Sequence, residues 1–107
     1  MPSFADNLQT FSSVAALKRL DLLDGNGALV GTIENRPGQQ GSLALYNHLR
    51  ERHGRIDAAA AREGLTLYAE HTQDARDNPG KHPNIDRLIA VAAGGGTLEI
   101  SAVPAAG

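Results

Sequence analysis

The sequence contains no cysteine and no tryptophan. The first absence excludes a disulfide framework and thiolate chemistry, and it leaves His, Asp and Glu as the only strong side-chain metal ligands. Aromatic residues are scarce too, being limited to Phe4, Phe11, Tyr46 and Tyr68. Binding to single-stranded nucleic acid uses aromatic platforms beside a basic groove, and binding to a phosphate backbone uses clustered Lys and Arg. Here the charge is spread evenly. Residues 1–53 carry five Lys/Arg against five Asp/Glu and residues 54–107 carry five against seven, for a net charge of −2. Nucleic acid is therefore not an expected partner. No apolar run approaches the ~20 residues that a membrane-spanning helix needs. The first residues, Met1-Pro2-Ser3-Phe4-Ala5-Asp6, lack both the basic and the apolar regions of a secretory signal. A cytoplasmic protein with no membrane partner is the expectation.

What is present suits one core. Hydrophobic residues make up 41% and charged residues 21% of 107 positions, close to globular averages, and the length is that of a single domain. We expect one domain over residues 1–103 and a frayed tail over 104–107. The clearest local signal is Asp24-Gly25-Asn26-Gly27 between Leu20-Asp21-Leu22-Leu23 and Ala28-Leu29-Val30-Gly31-Thr32-Ile33-Glu34. Asp-Gly and Asn-Gly supply the positive φ angles that a tight hairpin needs. The adjacent apolar pairs Leu22-Leu23 and Leu29-Val30 predict that both faces of the sheet are partly covered.

Short helical segments are expected after Ser3 and after Ser13, each a possible cap. Ser42 is a natural N-cap for a helix over 43–53, with Gly54 as its C-terminal stop. Asp57 opens a long helix in which Ala58, Ala61, Leu65, Tyr68, Thr72 and Ala75 recur at spacings of three and four. Gly64 inside that helix costs up to ~1 kcal/mol relative to alanine, which points to a close neighbour. Asn78-Pro79-Gly80-Lys81-His82-Pro83 breaks the pattern, Asn84 can cap a last helix ending at Gly94-Gly95-Gly96, and 97–103 alternates as a strand. The fold class is thus α+β: a β-hairpin and one C-terminal strand forming a small three-stranded sheet, packed with three main helices and short N-terminal helical segments.

The segments Thr32 to Ser42, Tyr68-Ala69-Glu70-His71-Thr72 and Asn78 to Leu88 carry a resemblance. Through them the chain resembles an uncharacterised bacterial family catalogued as a domain of unknown function, over nearly its whole length. The resemblance implies a bacterial cytoplasmic setting and brings no activity, cofactor or catalytic residue with it.

Two loops lead into helices. The loop over 35–42 offers two glycines, Arg36, the amides of Gln39 and Gln40, and Ser42, a composition in which backbone N–H groups and a helix dipole can hold an anion. It lacks the lysine of a P-loop, and the ordinary reading is a strand-to-helix connection. The loop over 79–84 brings Lys81 and His82. If both loops open at the same end of the sheet, Arg36, Gln39, Gln40, Lys81 and His82 form a cationic pocket for a carboxylate or phosphate; otherwise they are exposed connectors. His71 has Glu70 beside it and Asp74 one turn on, so it could serve as a base or share a metal, although packing alone also accounts for it. Two ligands are too few for a typical metal site, so no metal and no cofactor is expected, and no catalytic residue is assigned.

These readings lead to two functional expectations. The first is a non-catalytic accessory or protein-interaction module that associates with itself as a homodimer or with another protein. The alternative is a small anion- or metabolite-binding protein or enzyme using the two loops.

Overall fold

The computed structural model describes residues 2–105; Ala106 and Gly107 of the expected tail lie outside the described residues. Along the chain run α1 (Phe4–Leu8), β1 (Leu17–Leu23), β2 (Leu29–Glu34), α2 (Gln40–His53), α3 (Ala58–Tyr68), α4 (Glu70–Asp77), α5 (Pro83–Ala92) and β3 (Glu99–Pro104). The three strands form one antiparallel sheet in the order β2-β1-β3, so the fold is α+β as the sequence predicts.

Asp24 builds the hairpin. Its Oδ1 accepts the N–H groups of Asn26 at 2.8 Å and Ala28 at 3.0 Å, while its own N–H donates to the Ala28 carbonyl. Only Gly27, at φ 81°, takes the left-handed conformation. Leu22 pairs with Gly31 and Leu23 with Leu29, which leaves Val30 as a bulge.

That bulge explains the adjacent apolar pair Leu29-Val30. Leu20, Leu22 and Ile33 are fully buried on one face. The other face mixes the half-buried Leu23 and Val103 with polar residues, Arg19 Nε and Thr32 Oγ1 both donating to Asp21 Oδ1. Leu29 and Val30 are left exposed at 61% and 45%.

Helix α2 packs on β1 and β2, and α3 packs on α2 and α5. Gly64 makes that second contact possible, because a Cβ there would lie 2.7 Å from Leu88 Cδ1 and 2.9 Å from Leu49 Cδ1. The single long helix expected from Asp57 onward is two helices. Ala69 adopts φ 55°, ψ −118°, and separates α3 from α4. A positive φ in a residue with a Cβ is strained. The break is held by Thr72 Oγ1–H donating to the Leu65 carbonyl at 2.5 Å and by Asn7 Nδ2–H donating to the Leu67 carbonyl at 2.9 Å.

At the N-terminal end, Ser3 and Asp6 form a capping box for α1. The segment after Ser13 is a turn rather than a second helix, and β1 begins at Leu17. At the other end β3 runs through Pro104, and the Ala105 N–H donates to the Ala16 carbonyl. No described helix is long and apolar enough to cross a membrane.

Candidate functional site

The loops before α2 and α5 meet at one end of the molecule. Between them lies a cleft of about 500 Å³, bordered by Thr32 of edge strand β2, the first turn of α2, Phe4 of α1, Tyr68 at the end of α3, His71 of α4, and residues 81–85 and Arg87. Of the residues singled out in the sequence, Gln39, Ser42, His71, Lys81 and His82 line this cleft, whereas Arg36 and Gln40 do not. The exposed Arg36 guanidinium pairs with Glu34. The Gln40 side chain donates to Asn35 Oδ1 at 3.0 Å, and Asn35 Nδ2 in turn donates to the carbonyls of Val14 and Leu17. Gln40 therefore tethers the loop to the start of β1.

Both helix starts differ from the expected caps. Helix α2 begins at Gln40 with Gln39 at the cap position, which puts Ser42 in the first turn. Gln39 Oε1 accepts the Glu34 N–H at 3.0 Å and folds the loop back onto β2. Hydrogen bonding within α2 starts with the Leu43 N–H to the Gln39 carbonyl, so the amides of Gln40, Gly41 and Ser42 have no helical carbonyl to meet. Helix α5 starts at Pro83, and Asn84 does not cap it; its Oδ1 instead accepts from Arg87 Nη1 at 2.8 Å. The positive ends of two helices thus border the cleft.

Ser42 Oγ accepts the Tyr68 hydroxyl at 2.8 Å, and the Tyr46 hydroxyl donates to the Asn84 carbonyl at 2.6 Å. Burial pushes the Tyr68 phenol well above its ordinary range and the Tyr46 phenol up to about 12. Both remain protonated donors at neutral pH and fix the first turns of α2 and α5 from within the core.

His71 and Asp74, weighed in the sequence as two ligands of one metal, make no hydrogen bond to each other. Asp74 Oδ2 instead accepts from His82 Nε2 at 2.6 Å and Lys81 Nζ at 2.9 Å. The bond from His82, followed by that from Lys81, holds the Asp74 carboxyl down at about 2. A depressed folded-state pKa stabilises the fold above the ordinary carboxylate range near ~4 and loses that contribution as the pH falls toward the folded value. Asp74→Asn should therefore melt below wild type at pH 5 and above, with the gap closing as the pH approaches 2. Melting curves across pH 2–6 test this, and a gap that stays constant would show that the carboxylate charge contributes nothing.

The cation best placed in the cleft is one that no local sequence motif marks. Arg87 is half-buried, lines the cleft, and has no carboxylate partner among the described residues. Its guanidinium lies over β2 where Gly31 has no side chain, since a Cβ at Gly31 would fall 2.6 Å from Nη2. A glycine inside a strand marks a close approach of this kind and was the readable signal. Among the described residues no group of three or more His, Asp or Glu side chains is placed to hold a metal ion. A second depression between α1 and the α3–α4 junction is more apolar and gathers no cation among the described residues.

The family described as "Uncharacterized protein conserved in bacteria (DUF2322)" matches residues 4–102, a span that contains every residue lining the cleft. No curated protein and no solved structure matches the chain.

Proposed function

The chain belongs to that bacterial family, and from this starting point we propose that it binds a small carboxylate- or phosphate-bearing metabolite in the cleft between the α2 and α5 N-termini. The observation that carries the reading is Arg87, a half-buried guanidinium without a carboxylate partner among the described residues, which lines the same cleft as Gly41 and Ser42 at the start of α2. A planar guanidinium suits bidentate recognition of carboxylate or phosphate, and helix N-termini favour anions. Lys81 adds positive potential, moderated by Asp74. In this reading the protein is cytoplasmic, in contact with dissolved metabolites. A thermal-shift screen with inorganic phosphate, citrate and phosphorylated sugars tests it. A specific ligand at 100 Kd should stabilise the fold by ~2.7 kcal/mol, and flat melting curves across the panel would overturn the proposal.

A second reading, self-association, draws on Leu29 and Val30, which are exposed on the edge strand β2. An unprotected edge with apolar side chains is a template for strand pairing with another copy. On this reading the wild type elutes as a dimer at micromolar concentration and Val30→Lys elutes as a monomer. Size-exclusion chromatography with light scattering decides it, and a monomeric wild type would count against the dimer.

A further inference from the structure

We infer that the ligand of this cleft is a flat aromatic or heterocyclic ring carrying the anionic group, with roughly the dimensions of a mononucleotide. The inference rests on the cleft being an anion site and adds the chemistry of the rest of the ligand.

The chain has two Phe, two Tyr and four His, and four of these eight rings line the one cleft. They form a continuous row. Phe4 stacks on Tyr68 with centroids 5.2 Å apart at 28°, meets His71 edge-on at 5.2 Å and 85°, and His71 lies 5.9 Å from His82. The row is held from outside the cleft. The Phe4 N–H donates to Glu70 Oε1 at 2.9 Å, and the Phe4 ring lies against Gly41, where a Cβ would come within 3.1 Å of Cε2. His82 is held by Asp74.

Tyr68, like Tyr46, is buried, whereas Phe4, His71 and His82 are only half-buried and keep part of each ring open to the cleft. His71 makes no hydrogen bond to any described residue, so its ring nitrogens remain available to the edge of a heterocycle. Arg87 and the α2 amides offer a place for the anionic group, and the ring row offers one for a planar body. A volume of about 500 Å³ falls in the range of small-molecule pockets.

The test is isothermal titration of the intact protein with inorganic phosphate, ribose 5-phosphate, phenyl phosphate and adenosine 5′-monophosphate. Stacking of one ring on an aromatic wall strengthens binding by roughly five-fold or more. The two phosphates that carry a flat aromatic ring should therefore bind at least about five-fold more tightly than the two that carry none. A preference for the nucleotide over phenyl phosphate points to a nucleobase, and equal affinities to a simple aromatic phosphate; both support the inference. His71→Leu should bring the nucleotide down to the affinity of ribose 5-phosphate and leave inorganic phosphate unchanged. Phe4→Leu should do the same, with the His71 variant deciding if Phe4→Leu melts early. Equal binding of all four probes would overturn the ring and leave the anion site standing. Binding of none would overturn the anion site itself.

Discussion

Leu88→Ala is expected to lower the unfolding free energy by about 2–5 kcal/mol, the range for deleting a fully buried leucine side chain. Leu88 is completely buried in α5, and its Cδ1 fills the space that Gly64 leaves open on α3. A loss of that size is a large fraction of the 5–15 kcal/mol typical of a whole domain. The same contact predicts how Gly64→Ala behaves. Alone, the new Cβ would force Leu88 and Leu49 aside, an overpacking cost of about 1–3 kcal/mol. Against this stands the gain of up to ~1 kcal/mol from replacing a helical glycine. In the Leu88→Ala background the clash with Leu88 is gone and the methyl enters the cavity. The double variant should therefore be more stable than the sum of the two single changes predicts, a coupling of the kind seen between residues in contact. Urea unfolding of the four proteins measures it, and strict additivity would mean that α3 and α5 do not meet through this pair.

Arg87→Gln should weaken binding of the cleft ligand by about 30-fold or more, since truncating one partner of a buried charge pair costs 2 kcal/mol or more and each 1.4 kcal/mol is ten-fold. The fold should persist, because Arg87 is only half-buried and its hydrogen bond to Asn84 lies within the first turn of α5. Gly31→Val approaches the same group from β2. Its side chain would occupy the space of the guanidinium, whose flexible end can move away, and a β-branched residue suits a strand. This variant should melt within a few degrees of wild type and lose affinity nearly as far as Arg87→Gln. Gly31→Val binding at full strength would show that the position of Arg87 over β2 does not matter to the ligand.

These expectations use features of unequal visibility in the sequence. Asp24-Gly25-Asn26-Gly27 announced the hairpin because turn chemistry is local, and Gly64 announced a close neighbour because nothing else explains a glycine in a buried helix face. The break at Ala69 had no such sign. Neither Gly nor Pro stands there, and the apolar spacing from Ala58 to Ala75 continues across it. The strain at Ala69 is offset by contacts from Asn7 and Thr72, only one of which is local. The break matters to the site, because it sets the direction of the helix that brings His71 to the cleft and places Asp74 behind His82.

The candidate site was read in a similarly uneven way. The two loops were picked out by their glycines and prolines, yet which side chains face the cleft depends on partners distant in the chain. Ser42 was expected to cap a helix and is instead held by Tyr68, 26 residues away. Arg36, the cation nearest the first loop, is taken up by Glu34. Arg87 sits inside a helix whose local pattern gives it no distinction; only its counterpart Gly31, on a different element, hinted at it.

The proposed function requires the cleft to be an anion site organised around Arg87. The most direct measurement is a titration of the 15N-labelled protein with inorganic phosphate, followed by amide and guanidinium resonances. Saturable shifts should appear at Gly41, Ser42, Asn84 and Arg87 Nε, with a common dissociation constant, and should vanish in Arg87→Gln. Shifts confined to other parts of the molecule, or unchanged in that variant, would contradict it.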